Sequence, residues 1–65
     1  MIVKVIELMA RSEKSWEDAA KNAIEKASQS INNIKSAWVQ DQSVVVKDNQ
    51  IIEYRLTLKV TFGVD

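Results

Sequence analysis

Three side chains in the second half of the chain offer most of its chemistry. Trp38 presents a flat indole that can stack on a planar ligand, or pack between chains or over lysine and arginine stems. Arg55 has a guanidinium fork that fits oxyanions, with an ion pair to Glu53 or to Glu7 of a neighbouring chain as the alternative. Asp41 is a carboxylate of the kind that binds hard cations. The alternative for Asp41 is a hydrogen-bonded carboxylate at a strand end or bulge.

The residue types that are missing exclude the common catalytic centres. The chain contains no Cys and no His, so the usual catalytic triads, Cys/His zinc sites and disulfides cannot form. No activated nucleophile or tuned acid–base pair stands out among the remaining residues. We therefore predict that the protein is not an enzyme.

Charge and hydropathy exclude two further classes of partner. Nine basic and nine acidic residues give a net charge of zero, whereas nucleic-acid binders carry a basic excess. No apolar run approaches the roughly 18 residues of a membrane span, and the N-terminus lacks a signal-peptide layout. The sequence predicts an unprocessed cytoplasmic protein with neither a nucleic-acid nor a membrane partner.

The size of the chain favours association with itself. We predict a single domain over residues 1–65, and 65 residues bury only about 60% of the unfolded surface. Without disulfides or a metal, stability has to come from an efficient core or from oligomerisation. Zero net charge combined with 46% hydrophobic residues favours a homo-oligomer.

The spacing of apolar residues predicts the elements that position these side chains. Alternating β-branched residues predict a strand over 2–9. Ser15, with Asp18 three residues later, predicts a helix N-terminus, and the helical pattern ends at Asn32-Asn33. The predicted apolar face of the helix is formed by Trp16, Ala19, Ala20, Ala23, Ile24, Ala27, Ile31 and Ile34.

Two further strands are predicted over 35–47 and 50–62, joined by a two-residue turn at Asp48-Asn49 that sets Lys47 opposite Gln50. Strict alternation then defines two faces. The face predicted to cover the helix carries Ala37, Val39, Asp41, Ser43, Val45, Ile52, Tyr54, Leu56, Leu58, Val60 and Phe62. The reverse face carries Ser36, Trp38, Gln40, Gln42, Val44, Val46, Ile51, Glu53, Arg55, Thr57, Lys59 and Thr61.

These elements predict an α+β fold of β-α-β-β order, in which one helix packs on a three-stranded antiparallel sheet with the last strand in the centre. A single helix covers only one face of such a sheet. The other face holds Trp38 and is predicted to be a partner surface or a ligand platform.

An ordered set of segments resembles the dodecin family over essentially the whole chain. The segments are Lys4 to Leu8, Ser12, Ser15 to Ala20, Ala23-Ile24, Asn33-Ile34, Tyr54-Arg55 and Lys59 to Phe62. The resemblance implies a hollow homododecamer. It also implies a non-enzymatic protein that binds and sequesters flavin (riboflavin, FMN or lumichrome) for storage or protection.

Two positions depart from the flavin-binding members of this family. The resemblance places their stacking Trp at Ser36, two residues before Trp38, and their ring-binding Gln at Arg55. The predicted flavin-binding residues are therefore Trp38, Arg55, Ser36 and Gln40. At these two positions the chain is similar to a subgroup of the family that lacks the stacking Trp and is associated with metal ions. The alternative function is a flavin-free assembly that binds calcium or magnesium, with Asp41 as candidate ligand.

Overall fold

The computed structural model describes residues 2–64, which follow the predicted β-α-β-β order. Strand β1 spans Ile2–Ser12, helix α1 spans Trp16–Ala27, β2 spans Ile34–Lys47 and β3 spans Gln50–Val64. The strands form one antiparallel sheet in the order β1-β3-β2. The predicted α+β architecture, with the last strand in the centre, is confirmed.

Helix α1 begins where the sequence predicts and ends earlier. The Ser15 side chain caps the helix by accepting a hydrogen bond from the backbone N–H of Asp18 at 2.9 Å. The helix stops at Ala27, and the hydroxyl of Ser28 donates to the carbonyl of Glu25 at 2.7 Å. Such local bonds let a serine compete with the helical ladder, so the periodic spacing that continues to Ile34 does not extend the helix.

The core lies between α1 and the central strand. Its buried residues are Ala10, Ala19, Leu56, Leu58 and Val60. Ala19 is fully buried, and its small side chain lets the helix lie close to the sheet. Around this centre pack Ile6, Leu8, Trp16, Ala20, Ala23, Ile24 and Ile34. Because Ala10 pairs with Leu56 in this core, β1 runs to Ser12 and does not end at residue 9.

The turn between β2 and β3 has the geometry that its residues predict. Asp48 and Asn49 have φ angles of 53° and 62°, both in the left-handed region. Two such residues in succession are typical of a type I′ hairpin turn. Lys47 pairs with Gln50, so the predicted start of the hairpin register is confirmed.

Strict alternation fails farther along β2. Val39 pairs with Leu58 and Asp41 pairs with Thr57, so Gln40 is an extra residue in β2. This arrangement is a β-bulge. Further register shifts occur between Ile34 and Ser36 and between Val45 and Val46.

The bulge at Gln40 reverses the faces of the residues that follow it. Paired residues share a face, and Gln42 and Val44 pair with Leu56 and Tyr54 on the helix side. The predicted position of Asp41 on the face that covers the helix is therefore wrong. Asp41, Ser43 and Val45 lie on the reverse face, opposite Thr57, Arg55 and Glu53.

We call the sheet side away from α1 the open face. Residue pairing assigns to it Val3, Val5, Glu7, Met9 and Arg11 of β1, Ser36, Trp38, Asp41, Ser43 and Val45 of β2, and Glu53, Arg55, Thr57, Lys59 and Thr61 of β3. Large apolar side chains are exposed on this face, including Met9 at 77% and Trp38 at 49%. Four of the five predicted site residues, Ser36, Trp38, Asp41 and Arg55, lie on the open face, and the fifth, Gln40, is the extra residue of the bulge.

Candidate functional site

Trp38 lies on the open face, as predicted, and belongs to the edge strand β2. It pairs with Lys59 of the central strand, which pairs in turn with Glu7 of β1. The Lys59 Nζ atom is 3.6 Å from Glu7 Oε2, so this basic side chain already has an acidic neighbour. The indole remains about half exposed and is available for stacking or for contact with another chain.

Ser36 precedes Trp38 on the same face, also as predicted. Ser36 Oγ and Thr61 Oγ1 share a hydrogen bond of 2.6 Å, and Thr61 Oγ1 donates a second bond of 3.3 Å to the Ser36 carbonyl. A pair of hydroxyls thus occupies the place where the resemblance puts a stacking ring. Hydroxyls bind polar atoms and provide no stacking surface.

Arg55 forms an ion pair with the nearest acidic residue of its own strand. Its Nε atom donates to Glu53 Oε1 at 2.6 Å, which confirms the ion pair predicted as the alternative role. Partly exposed pairs of this kind contribute only about 0–1 kcal/mol. Arg55 also pairs in register with Ser43 on one side and with Arg11 on the other.

Gln40 and Asp41 lie at the bulge of β2. Gln40 is the extra residue and is exposed, and Asp41 is exposed opposite Thr57. Within residues 2–64, neither an ion pair nor a side-chain hydrogen bond reaches the Asp41 carboxylate. The same part of the chain contains no group of three acidic residues close enough to hold a metal ion. Asp41 is therefore a single unpaired carboxylate on the open face.

Arg11 was not among the predicted site residues. The predicted first strand ends at residue 9, whereas Arg11 belongs to β1 and lies directly opposite Arg55. With Met9 and Ala10, these two arginines line a groove of about 290 Å³. Continuing the period of two beyond residue 9 would have put Arg11 on the face of Met9.

Within residues 2–64, no helix has the length and hydropathy that would be needed to cross a membrane.

Comparison with known proteins identifies the family. The Dodecin family model matches residues 2–65. A relative named calcium dodecin, from Mycobacterium tuberculosis (strain ATCC 25618 / H37Rv), is 38% identical over 61 residues, which cover 94% of this chain and 86% of the relative.

Solved structures agree with this match. Dodecin from Streptomyces davaonensis has a TM-score of 0.93 and 28% identity, covering 98% of this chain and 94% of its own. The structure of the calcium-chelating antigen calcium dodecin from Mycobacterium tuberculosis, described as having a novel calcium-binding site, has a TM-score of 0.87 and 35% identity. It covers 100% of this chain and 93% of its own. The chain belongs to the dodecin family.

Proposed function

We propose that this chain is a non-enzymatic binding protein that works as a homo-oligomer, a hollow dodecamer, and holds divalent cations such as calcium between its chains. The observation that carries this proposal is the unpaired Asp41 carboxylate on a sheet face that the chain's own helix leaves open.

Exposed apolar surface supports the assembly. The chain exposes 4872 Å², against about 4200 Å² from the size scaling of folded monomers of this mass. Large apolar residues are exposed along both outer strands, among them Ile2, Val3, Val5 and Met9 of β1 and Trp38, Val39 and Val46 of β2. Apolar surface of this extent favours burial against other chains.

The chemistry of the acidic residues supports a shared cation site. Calcium takes about 6–8 oxygen ligands, and one chain offers no cluster of three acidic residues within residues 2–64. Glu7 and Glu53 each have a basic neighbour, which leaves Asp41 as the available carboxylate of the open face. Around a symmetry axis, one Asp41 from each chain would supply several ligands. The relative that is named calcium dodecin supports the same ion.

Flavin is the second candidate ligand, and Trp38 favours it. The indole is half exposed on the open face, and this surface suits stacking on a flat ring. Ser36 and Gln40 flank Trp38 in β2, whereas Arg55 lies two rows farther along the open face, opposite Ser43. Ser36 and Arg55 fit flavin poorly, because the hydroxyl is bonded to Thr61 and the guanidinium, a donor only, is bonded to Glu53.

Light scattering and a calcium titration test the proposal together. We expect a dodecamer mass, far above the 7.4 kDa of one chain, and saturable calcium binding by calorimetry. Asp41→Asn should weaken that binding by about tenfold or more, the equivalent of roughly 1.4 kcal/mol. Asp48→Asn removes the same charge at the turn and should bind calcium as the wild type does. A monomeric wild type would overturn the proposed assembly. If Asp41→Asn and Asp48→Asn bind calcium with the same affinity, the proposed role of Asp41 is overturned.

A further inference from the structure

Two arginines lie directly opposite each other on the open face. Arg11 of β1 pairs in register with Arg55 of β3. Directly opposed residues on an antiparallel pair have Cβ atoms about 4.5–5.5 Å apart, and like charges at such positions destabilise the sheet. This arrangement is therefore unfavourable unless negative charge lies between or beside the two side chains.

The chain supplies only part of that negative charge. Glu53 binds Arg55 through Nε, which leaves the two terminal nitrogens of the guanidinium without a hydrogen bond within residues 2–64. In the same part of the chain, no carboxylate lies within 4.0 Å of the Arg11 guanidinium. Glu13 and Glu53 border the neighbouring recess with Arg11, and Asp41 lies one row away on the open face. Of these three carboxylates, Glu53 alone forms an ion pair with an arginine within residues 2–64, and that arginine is Arg55.

The space beside the arginines suits a small anion. Arg11 and Arg55 line a groove of about 290 Å³ together with Met9 and Ala10. Guanidinium groups bind phosphate through parallel N–H···O bonds, and two opposed guanidiniums offer one such fork from each side. The exposed Met9 side chain forms an apolar wall against which an organic group attached to the phosphate can lie.

We propose that Arg11 and Arg55 form an anion site that binds a phosphate group, either as free phosphate or as the phosphate of a small organic ester. The bound phosphate would offset the repulsion between the two guanidiniums. This site uses neither Asp41 nor Trp38 and stands whether or not the assembly binds a cation.

Calorimetry with inorganic phosphate tests the site on the assembled wild-type protein at constant ionic strength in sodium chloride. We expect saturable binding that Arg11→Gln weakens by about tenfold, or roughly 1.4 kcal/mol. Lys47→Gln removes the same charge beside the hairpin turn and should leave phosphate binding unchanged. A parallel titration with phenyl phosphate separates the two forms of the ligand. Tighter binding of the ester indicates an organic phosphate, and equal binding indicates free phosphate.

Three results would overturn the proposal. The first is no binding of either phosphate beyond the response to chloride, and the second is equal binding by wild type and Arg11→Gln. The third is a changed mass of the Arg11→Gln variant in light scattering. That result would mean that Arg11 holds the chains together by binding a carboxylate of a neighbouring chain, which would fill the groove in place of phosphate. Arg11 carries the test because Glu53 holds Arg55 and not Arg11, so its replacement leaves that ion pair intact. The calcium titration tests Asp41 separately, so either proposal can fail without the other.

Discussion

The hydroxyl of Ser12 donates a 2.6 Å hydrogen bond to Oδ2 of Asp18 and so joins the end of β1 to the first turn of α1. Asp18 also accepts a bond of 3.1 Å from Asn22 Nδ2. Bonds to the ionised carboxylate favour that form. The Ser12 hydroxyl is the main cause that lowers the pKa of Asp18 below 3.8, partial desolvation opposes it, and Lys14 adds to the lowering.

This lowered pKa predicts a loss of stability in acid. The Asp18 contribution is fully present above the pKa of the unfolded chain and is lost as the pH falls through the lower pKa of the folded state. We expect Asp18→Asn to flatten the dependence of the melting temperature on pH below about pH 4. Thermal unfolding by circular dichroism at fixed protein concentration measures it. Glu17→Gln, in the same helical turn, is the matched control, and an Asp18→Asn curve parallel to wild type would contradict the prediction.

Trp16 joins the helix to the edge of the sheet. Its Nε1 donates to the Ser43 carbonyl at 3.1 Å, and its ring meets Tyr54 edge to face at 5.2 Å. Trp16→Phe removes the donor and keeps an aromatic ring, so we expect the free energy of unfolding to fall by about 0.5–1.5 kcal/mol. Urea unfolding at constant protein concentration measures the change. Tyr54→Phe, which leaves the indole bond in place, is the control, and a Trp16→Phe variant as stable as wild type would argue against this bond.

The hairpin turn requires a residue that tolerates positive φ at position 49. Asn49 has a φ of 62°, and this region costs an ordinary L-residue roughly 1–2 kcal/mol. We expect Asn49→Ala to lower stability by about 1 kcal/mol and Asn49→Gly to keep or raise it. Thermal melts of both variants beside wild type give the comparison. If Asn49→Ala and Asn49→Gly have the same melting temperature, the positive φ at position 49 does not limit the stability of the protein.

Riboflavin fluorescence tests the flavin hypothesis at Trp38. Stacking is worth about 0.5–1.5 kcal/mol beyond buried area, so Trp38→Ala should weaken any flavin binding by about tenfold. Ser36→Trp should strengthen it if the family geometry is retained. Trp16→Phe, which changes the tryptophan of the helix, should leave quenching unchanged. An absence of quenching by wild type would reject flavin, and tight binding that survives Trp38→Ala would reject the stacking role.

Local signals predicted much of this fold. The Ser15 cap and the Asp48-Asn49 turn each depend on a few adjacent residues. Trp38 and Ser36 were correctly predicted on one face because each pairs with β3 before the bulge at Gln40.

The errors at residues 40–43 and at Arg11 concern the pairing between strands, which the sequence of one strand alone does not reveal. Residues 40–43 are polar and fit either face, so their sequence gives no sign of an extra residue at position 40. Arg11 was missed because its partner Arg55 is distant in the chain. Both errors concern the open face, where no buried apolar pattern from this chain restrains the register.

The bulges in β2 also bear on how far the sheet can grow. The strand order leaves β1 and β2 at the two edges, and exposed edges invite other strands to add without limit, as in fibrils. In β1 the pairing with β3 is unbroken along its whole length, whereas β2 is interrupted at positions 35 and 40. A bulged edge twists and offers an irregular row of backbone donors and acceptors. Endless strand addition requires two regular edges, and this sheet has only one.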